Sequence, residues 1–524
     1  MATTRNKHDK QHLENMKTYE KQVKRIYLAA IKQAVRISGT TGQINPLAPF
    51  SFDDHPAIKK RLDKLLDTLK RQLNITIITA IKKEWELANT KNDEMTNKVF
   101  SGEISTLNEQ QKKQYFARNE EALEAFIQRK TNGLNLSDKI WHYTQNLKTE
   151  LEFALEDGLK DGKPADVLSR SVRQYLKQPD KLFRRVRDKH GQLHLSKRAK
   201  EYHPGRGVYR SSYKNARRLA ATETNIAYRT ADHLRWQQMD FVVGMEIHLS
   251  NNHTLNGKPF KDICDELAGK YPKDFKFTGW HPLCRCFATA IIKTQEELDR
   301  DTRRILNGGE PATKSKNQIN SLPENFNRWI AKNKNRIEKA KQLPYFLKDN
   351  QYYTAKAKYI AKRYVEYGKY KNNQNYYNTA FNWKTGAYIA THKEHKTDKV
   401  GGIYERQVQT TGLKNKHSVV LEQENHSLMN IKNVDGLWDG NKMEIAAATT
   451  GTANNIRNAL KHCATKPTEI AIIVLPQNLL QNDLNKGLKK YFGLKGTKQY
   501  KDFKEIIFIQ DEKIKRTIKG TPEQ

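Results

Sequence analysis

The sequence predicts a multidomain protein, with an α-rich N-terminal region that has a small Cys/His-containing α+β end, followed by a C-terminal α/β domain. Three observations carry that expectation. The chain has 524 residues, more than one hydrophobic core serves at roughly 100–200 residues per domain. Apolar residues recur three and four apart through most of the first 240 positions, whereas beyond about 378 they gather in short β-rich runs bounded by turn residues. Three of the four cysteines stand at 264, 284 and 286, between these two regimes.

Taken in order, a polar arm is followed by Val23, Ile26, Tyr27, Ala30 and Ile31, which mark a helix over about Tyr19 to Ile37. Pro56 opens a second helix with Leu62, Leu65, Leu66, Leu69 and Leu73 on one stripe, continuing towards Leu87. Helical patterns follow at 108–131, at 137–158 and from Pro164 to about Leu176. Between Lys181 and Arg218, thirteen Lys or Arg stand against two acids, Asp188 and Glu201, a local charge of +11. Gly191 and the run His203-Pro204-Gly205-Arg206-Gly207 interrupt it, so it reads as a basic loop or hairpin flanked by helices. Such a stretch suits phosphate contact, and equally a solvated face or an acidic protein neighbour. Ser211 to Asp240 returns to helical spacing, with Ala216, Leu219, Ala220, Thr224, Ala227, Ala231 and Leu234 on one side, and Phe241 to Ser250 then alternates as one or two strands.

Ninety-four basic residues against fifty-eight acidic ones leave a net charge of +36, which draws the chain to polyanions and makes nucleic acid the expected partner class. No run approaches the roughly 18 apolar residues that cross a bilayer, and the N-terminus has no signal-peptide pattern, so synthesis in the cytoplasm is expected. Four cysteines are too few for a disulfide framework at this size, and their clustering favours a metal.

Candidate ligands over 248–286 are His248, His253, Cys264, His281, Cys284 and Cys286. Structural zinc takes four thiolate or imidazole ligands in a tetrahedron, usually a short-spaced pair joined to distant partners. Here His281-x-x-Cys284 is the short pair, with His253 and Cys264 as distant partners. Cys284 and Cys286 are two apart, which hinders both from meeting one ion, so one of them can instead be a buried structural thiol. A metal-free knot held by packing is the alternative.

The run Ala220 to Ala227 (Ala-Ala-Thr-Glu-Thr-Asn-Ile-Ala), then Glu246-Ile-His-Leu-Ser250, His253, Asp262-Ile-Cys-Asp265, Ala268-Gly-Lys-Tyr271 and His281-Pro-Leu-Cys-Arg-Cys286, resembles the Mu-F-like family of phage minor head proteins. The chain departs from many members in having Cys264 alone where they carry a Cys-x-x-Cys pair. The resemblance implies a virion protein of the capsid interior, associated with the portal and major capsid proteins and acting in head assembly or head morphogenesis, DNA packaging or delivery. The phage DNA would be met through its phosphates, since no base-reading motif is present.

The expected division is a helical region at 1–210, the signature domain at 211–295, a linker and basic helical segment at 296–377, and the last domain at 378–524. Residues 296–322, with Gly308-Gly309 and Pro311, read as an exposed connection. The segment Pro323 to Tyr377 carries nine tyrosines, which suit packing on neighbours more than base stacking. Beyond it, strands are expected at 418–421, 443–446, 470–475 and 506–509, with helices at 402–412 and 452–463.

Asp439-Gly440 is a hairpin signal, so Asp435 ends one strand and Glu444 sits on the next, where both carboxylates can face one side. With Glu405 on the preceding helix they form a candidate magnesium site able to activate water at a phosphodiester. The competing reading makes Asp435 and Asp439 turn residues and Glu444 a surface residue.

The residues Thr385 to His392, His395, Tyr404-Glu405, Val419-Val-Leu-Glu422, Asp435-Gly436 and Glu444-Ile445 resemble the PD-(D/E)XK nuclease superfamily, more narrowly the tRNA-nuclease toxin domains of contact-dependent inhibition systems. That resemblance implies a nuclease-like α/β fold and a metal-dependent effector delivered to the host cytoplasm with the genome, with host tRNA or DNA as substrate. Glu405, Asp435 and Glu444 would hold magnesium, with His392 and His395 as candidates for substrate contact or proton transfer. The lysine expected two residues after the glutamate is Ala446 here, which leaves Lys432, Lys442 or Lys461 to substitute, or a degenerate domain. The rival class is a purely structural virion protein whose last domain binds nucleic acid or capsid and catalyses nothing.

Overall fold

The computed structural model describes residues 5–38, 49–100, 103–160, 167, 175, 178–205, 207–250, 254–255, 258–259, 261–395, 400–424 and 433–520. The chain forms two compact units, Met1–Ser321 with Pro344–Asn350, and Leu322–Leu343 with Gln351–Gln524.

The first unit is helix-rich. Its helices are α1 (Lys7–Ser38), α2 (Pro56–Val99), α3 (Glu109–Tyr115), α4 (Glu120–Gln128) and α5 (Leu136–Lys160). After them come the hairpin β1 (Arg184–Arg187) and β2 (Leu193–Leu195), then α6 (Lys197–Glu201) and α7 (Ser212–Gln238). The stripes read from the sequence are the ones that meet: Val23, Tyr27 and Ile31 of α1, Leu62 to Leu73 of α2, and Ala216, Ala220, Ala227 and Ala231 of α7 share one buried core. Small residues on α7 let the longer helices approach closely. Buried Glu84 of α2 accepts hydrogen bonds from Asn15 and Tyr19 of α1, which fixes the rotation of one helix against the other.

Two local expectations are corrected here. The helix expected over 108–131 is two helices, because Asn119 turns into the left-handed region at φ 53°. The stretch 296–322 is not simply an exposed connection. It begins with α9 (Gln295–Leu306), opened by a reciprocal Thr294/Glu297 capping box, and buried Lys293 pairs with Asp301 at 2.6 Å. Glu297 also accepts from Ser315 and Lys316, holding the following coil against α9. The helix expected from Pro164 falls almost wholly outside the described residues.

The α+β end of this unit has β3 (Val242–His248) at the centre of a three-stranded antiparallel sheet. The pair β4 (Thr254–Leu255) and β5 (Lys258–Pro259) and the short α8 (Ile263–Leu267) lead to its neighbours β6 (Gly269–Tyr271) and β7 (Phe287–Ile292). Among the described residues no helix is long and apolar enough to cross a membrane.

The second unit opens with α10 (Glu324–Lys332) and α11 (Gln351–Lys371) and then builds a mixed sheet of eight strands. These are β8 (Tyr376–Phe381), β9 (Tyr388–His392), β10 (Val419–Leu421), β11 (Gly436–Trp438), β12 (Asn441–Ala447), β13 (Ile470–Val474), β14 (Glu505–Gln510) and β15 (Lys513–Lys519), adjacent in sequence order. The parallel pairs β9–β10, β12–β13 and β13–β14 each need a crossover, supplied by α12 (Val400–Lys414), α13 (Ala453–Ala464) and α14 (Gln481–Phe492). Alternation divides the sheet's residues between faces. Val419, Leu421, Met443, Ile470 and Ile472 pack with Val408 of α12, while Ala471, Ile473, Ile506 and Phe508 pack with Ile456, Leu460, Leu484 and Leu488 of α13 and α14. Three tyrosines of α11 pack as expected, Tyr364, Tyr367 and Tyr370 sitting against Phe381, Tyr376 and Tyr388, whereas Tyr352 and Tyr359 are exposed.

Candidate functional site

The hairpin β11–β12 turns at Asp439, in the left-handed region at φ 49°, followed by Gly440 at φ 87°. Gly436 pairs with Met443, so the next residues outward, Asp435 and Glu444, lie side by side on the opposite face to Met443. The Ile445 N–H donates to Asp435 Oδ2 at 2.7 Å, which ties the carboxylate to the next strand. Glu405, one helical turn into α12, opens on the same cleft. That cleft has a volume of about 820 Å³ and is lined by Glu405, Glu424, Asp435, Glu444, His462 and Lys466 among others. Glu405, Asp435 and Glu444 therefore line one cleft, but their oxygens do not gather within 4.8 Å of one another.

Burial and mutual repulsion shape their charges. Asp435 is pushed up to about 6 by desolvation, with the Glu405 charge adding to it. Glu444, almost wholly buried, is pushed up to about 8 by desolvation and then by Asp435, with Lys466 pulling it back. Glu444 Oε2 is buried without a hydrogen-bond partner. Hard carboxylate oxygens with raised affinities for a proton, those of Asp435 and Glu444, fit a hard cation such as magnesium.

The histidines differ in their placement. His395 is fully buried, 3.1 Å from Glu405 and 3.6 Å from Glu424, and its Nδ1 meets the Glu422 carbonyl at 2.8 Å. Desolvation lowers its affinity for a proton, but Glu405, the Glu422 carbonyl and Glu424 outweigh it, and the net shift is upward. Donor atoms of His395, Glu405 and Glu424 lie within 4.8 Å of one another, whereas Asp435 and Glu444 join no such sphere among the described residues. His395 thus occupies the anionic side of the cleft, between Glu405 and Glu424. His392, at the end of β9, is turned away: its ring stands edge-on to Tyr376 and its Nδ1 accepts from the Glu394 N–H.

Two residues that sequence reasoning passed over complete the site. Lys466, just after α13, donates to the Asn433 carbonyl at 3.0 Å and brings its ammonium to 3.4 Å from Glu444 Oε1. His462, on the last turn of α13, lies 3.1 Å from the same oxygen, and desolvation followed by the charge of Lys466 lowers its proton affinity. Of the lysines expected to substitute at Ala446, Lys432 is outside the described residues, and Lys442 and Lys461 do not line the cleft. The only sequence signal for Lys466 was its place at the end of a helix leading into β13.

At the α+β end of the first unit, Cys264, His281 and Cys284 converge, with their donor atoms within 4.8 Å of one another. His253 lies outside the described residues. His248 is engaged elsewhere, bonded to Thr289 at 2.9 Å and stacked on Phe287. No protein-family model, curated protein or solved structure matches the chain.

Proposed function

We propose that the chain is a Mu-F-like phage minor head protein whose second unit is a metal-dependent nuclease effector of PD-(D/E)XK type. The head-protein half of this reading rests on the signature run between Ala220 and Cys286 and on the net charge of +36, which suits a protein lying against packaged DNA in the virion, near the portal. The nuclease half rests on one observation above the others: Asp435 and Glu444 stand on adjacent strands in a polar cleft, facing Glu405 from a helix and an ammonium from Lys466. The succession α12, β10, β11, β12, α13, β13 supports the same superfamily reading.

Magnesium, when bound by Glu405, Asp435 and Glu444, supplies a Lewis acid for a phosphodiester and a lowered pKa for attacking water. The protein's own residues do the rest. The raised proton affinities of Asp435 and Glu444 would make the site receptive to a cation. Lys466 holds positive charge next to Glu444, where the motif's lysine would stand, and can orient the attacking water or offset charge on the phosphate. His462, half-exposed on the rim, is neutral at pH 7 and positioned to carry a proton to or from a sugar oxygen. Lys466 also weighs against the degenerate-domain alternative that Ala446 raises.

The test is cleavage of total tRNA and of plasmid DNA by the full chain in magnesium, beside Asp435→Asn and Glu444→Gln. Cutting of either substrate by the parent chain, lost in both variants, is the expected result. A folded parent chain that cuts neither substrate, in magnesium or manganese, removes the nuclease reading.

A further inference from the structure

We infer that the α+β end of the first unit is a structural zinc site, with Cys264, His281, Cys284 and Cys286 as its ligands. Cys264 Sγ lies 3.8 Å from Cys284 Sγ and 3.2 Å from His281 Nε2. A tetrahedral zinc with bonds of about 2.3 Å to sulfur and about 2.0 Å to nitrogen places its donors roughly 3.5–3.8 Å apart, which is the scale of this cluster. The sulfurs are too far apart for a disulfide, and all four cysteines of the chain are free.

The surrounding chain holds the donors in place. Asp262 caps α8 by accepting from the Cys264 N–H at 2.7 Å, and Asp265 returns a bond to the Asp262 N–H, so Cys264 is fixed in the first turn. Leu283 takes the left-handed conformation at φ 63°, which folds His281 and Cys284 back towards each other, and the Cys284 N–H closes that turn on the His281 carbonyl. Gly279, at φ 112°, passes so near that a Cβ there would stand 3.1 Å from Cys284 Cβ. His281 Nδ1 lies 2.8 Å from the Pro282 carbonyl, a contact that only a protonated Nδ1 can satisfy. With Nδ1 donating, the neutral ring presents Nε2 as its acceptor, 3.2 Å from Cys264 Sγ and 3.5 Å from Asp262 Oδ2, and ligating histidines are oriented by just such an outer bond. Cys286, proposed as the fourth donor, is buried next to this cluster but stands outside the group in which the donor atoms of Cys264, His281 and Cys284 all lie within 4.8 Å of one another.

Soft thiolates and one imidazole select zinc over magnesium, so this site and the carboxylate cleft would take different ions. Bound zinc would join α8 to the turn that enters β7.

The test uses the full chain, purified reduced and without chelator. Metal analysis should give about one zinc per chain, and exchange for cobalt should give tetrahedral d–d bands with thiolate charge transfer. Under native conditions a chelator should expose Cys264, Cys284 and Cys286 to alkylation, while Cys463, buried in the other unit, stays protected. Cys264→Ala should lose the metal. Whether or not that variant folds, the cobalt spectrum and alkylation map of the parent chain decide the matter independently. Absence of both zinc and cobalt bands, alkylation unaffected by chelator, a Cys264–Cys284 disulfide in the peptide map, or full zinc content in Cys264→Ala overturns the inference.

Discussion

Glu444→Gln should make the metal-free protein more stable and inactive at the same time. Glu444 is 2 % exposed and its pKa is pushed up to about 8, against an ordinary value of 4.5. A carboxyl raised in the folded state costs nothing below the unfolded value. The cost grows as pH rises from 4.5 towards 8, because the unfolded chain releases its proton while the folded chain must keep it, and it levels off above 8. At pH 7 the unfolded chain is about 2.5 pH units past its pKa, which at 1.36 kcal/mol per unit makes the cost about 3 kcal/mol. Glutamine has no proton to lose and escapes this cost, though it gives up the ammonium of Lys466 as a partner, so a net gain of about 2 kcal/mol is expected. For a unit of this size that is a rise of about 4–8 °C in the melting temperature. Differential scanning calorimetry at pH 4.5, 7 and 8.5, with and without magnesium, checks it. The gain should be absent at pH 4.5 and present at pH 7 and above, and magnesium should stabilise the parent chain but not the variant. Equal melting temperatures at pH 8.5, or a gain that is the same at every pH, would refute the account of Glu444 as a desolvated carboxyl awaiting a cation.

Lys466→Met should lower the cleavage rate about 10²-fold with little change in substrate affinity, as expected for loss of one charge that acts at the transition state, while Lys461→Met stays near the parent rate. Ala446→Lys should restore much of the activity lost in Lys466→Met, since residues 444 and 446 share a face of β12 and Ala446 lines the cleft; initial rates on one substrate measure both. Gly436→Ala should destabilise the second unit by at least about 2 kcal/mol, because its Cβ would stand 1.9 Å from the Val420 carbonyl oxygen on the neighbouring strand, whereas Gly368→Ala in α11, which meets nothing nearer than 3.8 Å, should gain about 0.5–1 kcal/mol in urea titrations.

Much of this architecture was legible because local patterns agreed with their surroundings. The stripes of α1 and α2 point into one core, and β13, apolar at all five positions, is buried on both faces. The turn at Asp439-Gly440 alone was enough to place Asp435 beside Glu444. What stayed hidden was encoded more weakly. β15 alternates lysine and arginine with isoleucine, the guise of an exposed edge strand, and so resembles a polar tail. α9 is highly charged, and only its Thr294/Glu297 capping box and the buried Lys293–Asp301 pair distinguish it from a linker. His395 was visible as a candidate, but its burial between Glu405 and Glu424 depends on a fold-back that spacing does not reveal.

On the proposed nuclease reading, Ala446 breaks the motif while Lys466 keeps an ammonium beside Glu444. What a nuclease site requires of its lysine is an ammonium within a few ångströms of the glutamate and the scissile phosphate, and the chain can deliver it from any element that ends there. On β12 the side chain at 446 would rise from the sheet next to Glu444. From the end of α13, Lys466 reaches over the same carboxylate and is steadied by the Asn433 carbonyl. The second route has a consequence for regulation of the site's charge. A lysine anchored outside the strand, with its ammonium 3.4 Å from Glu444 Oε1, lowers the proton affinity of Glu444 and also that of Asp435, so one charge acts on both carboxylates that the strand pair sets side by side.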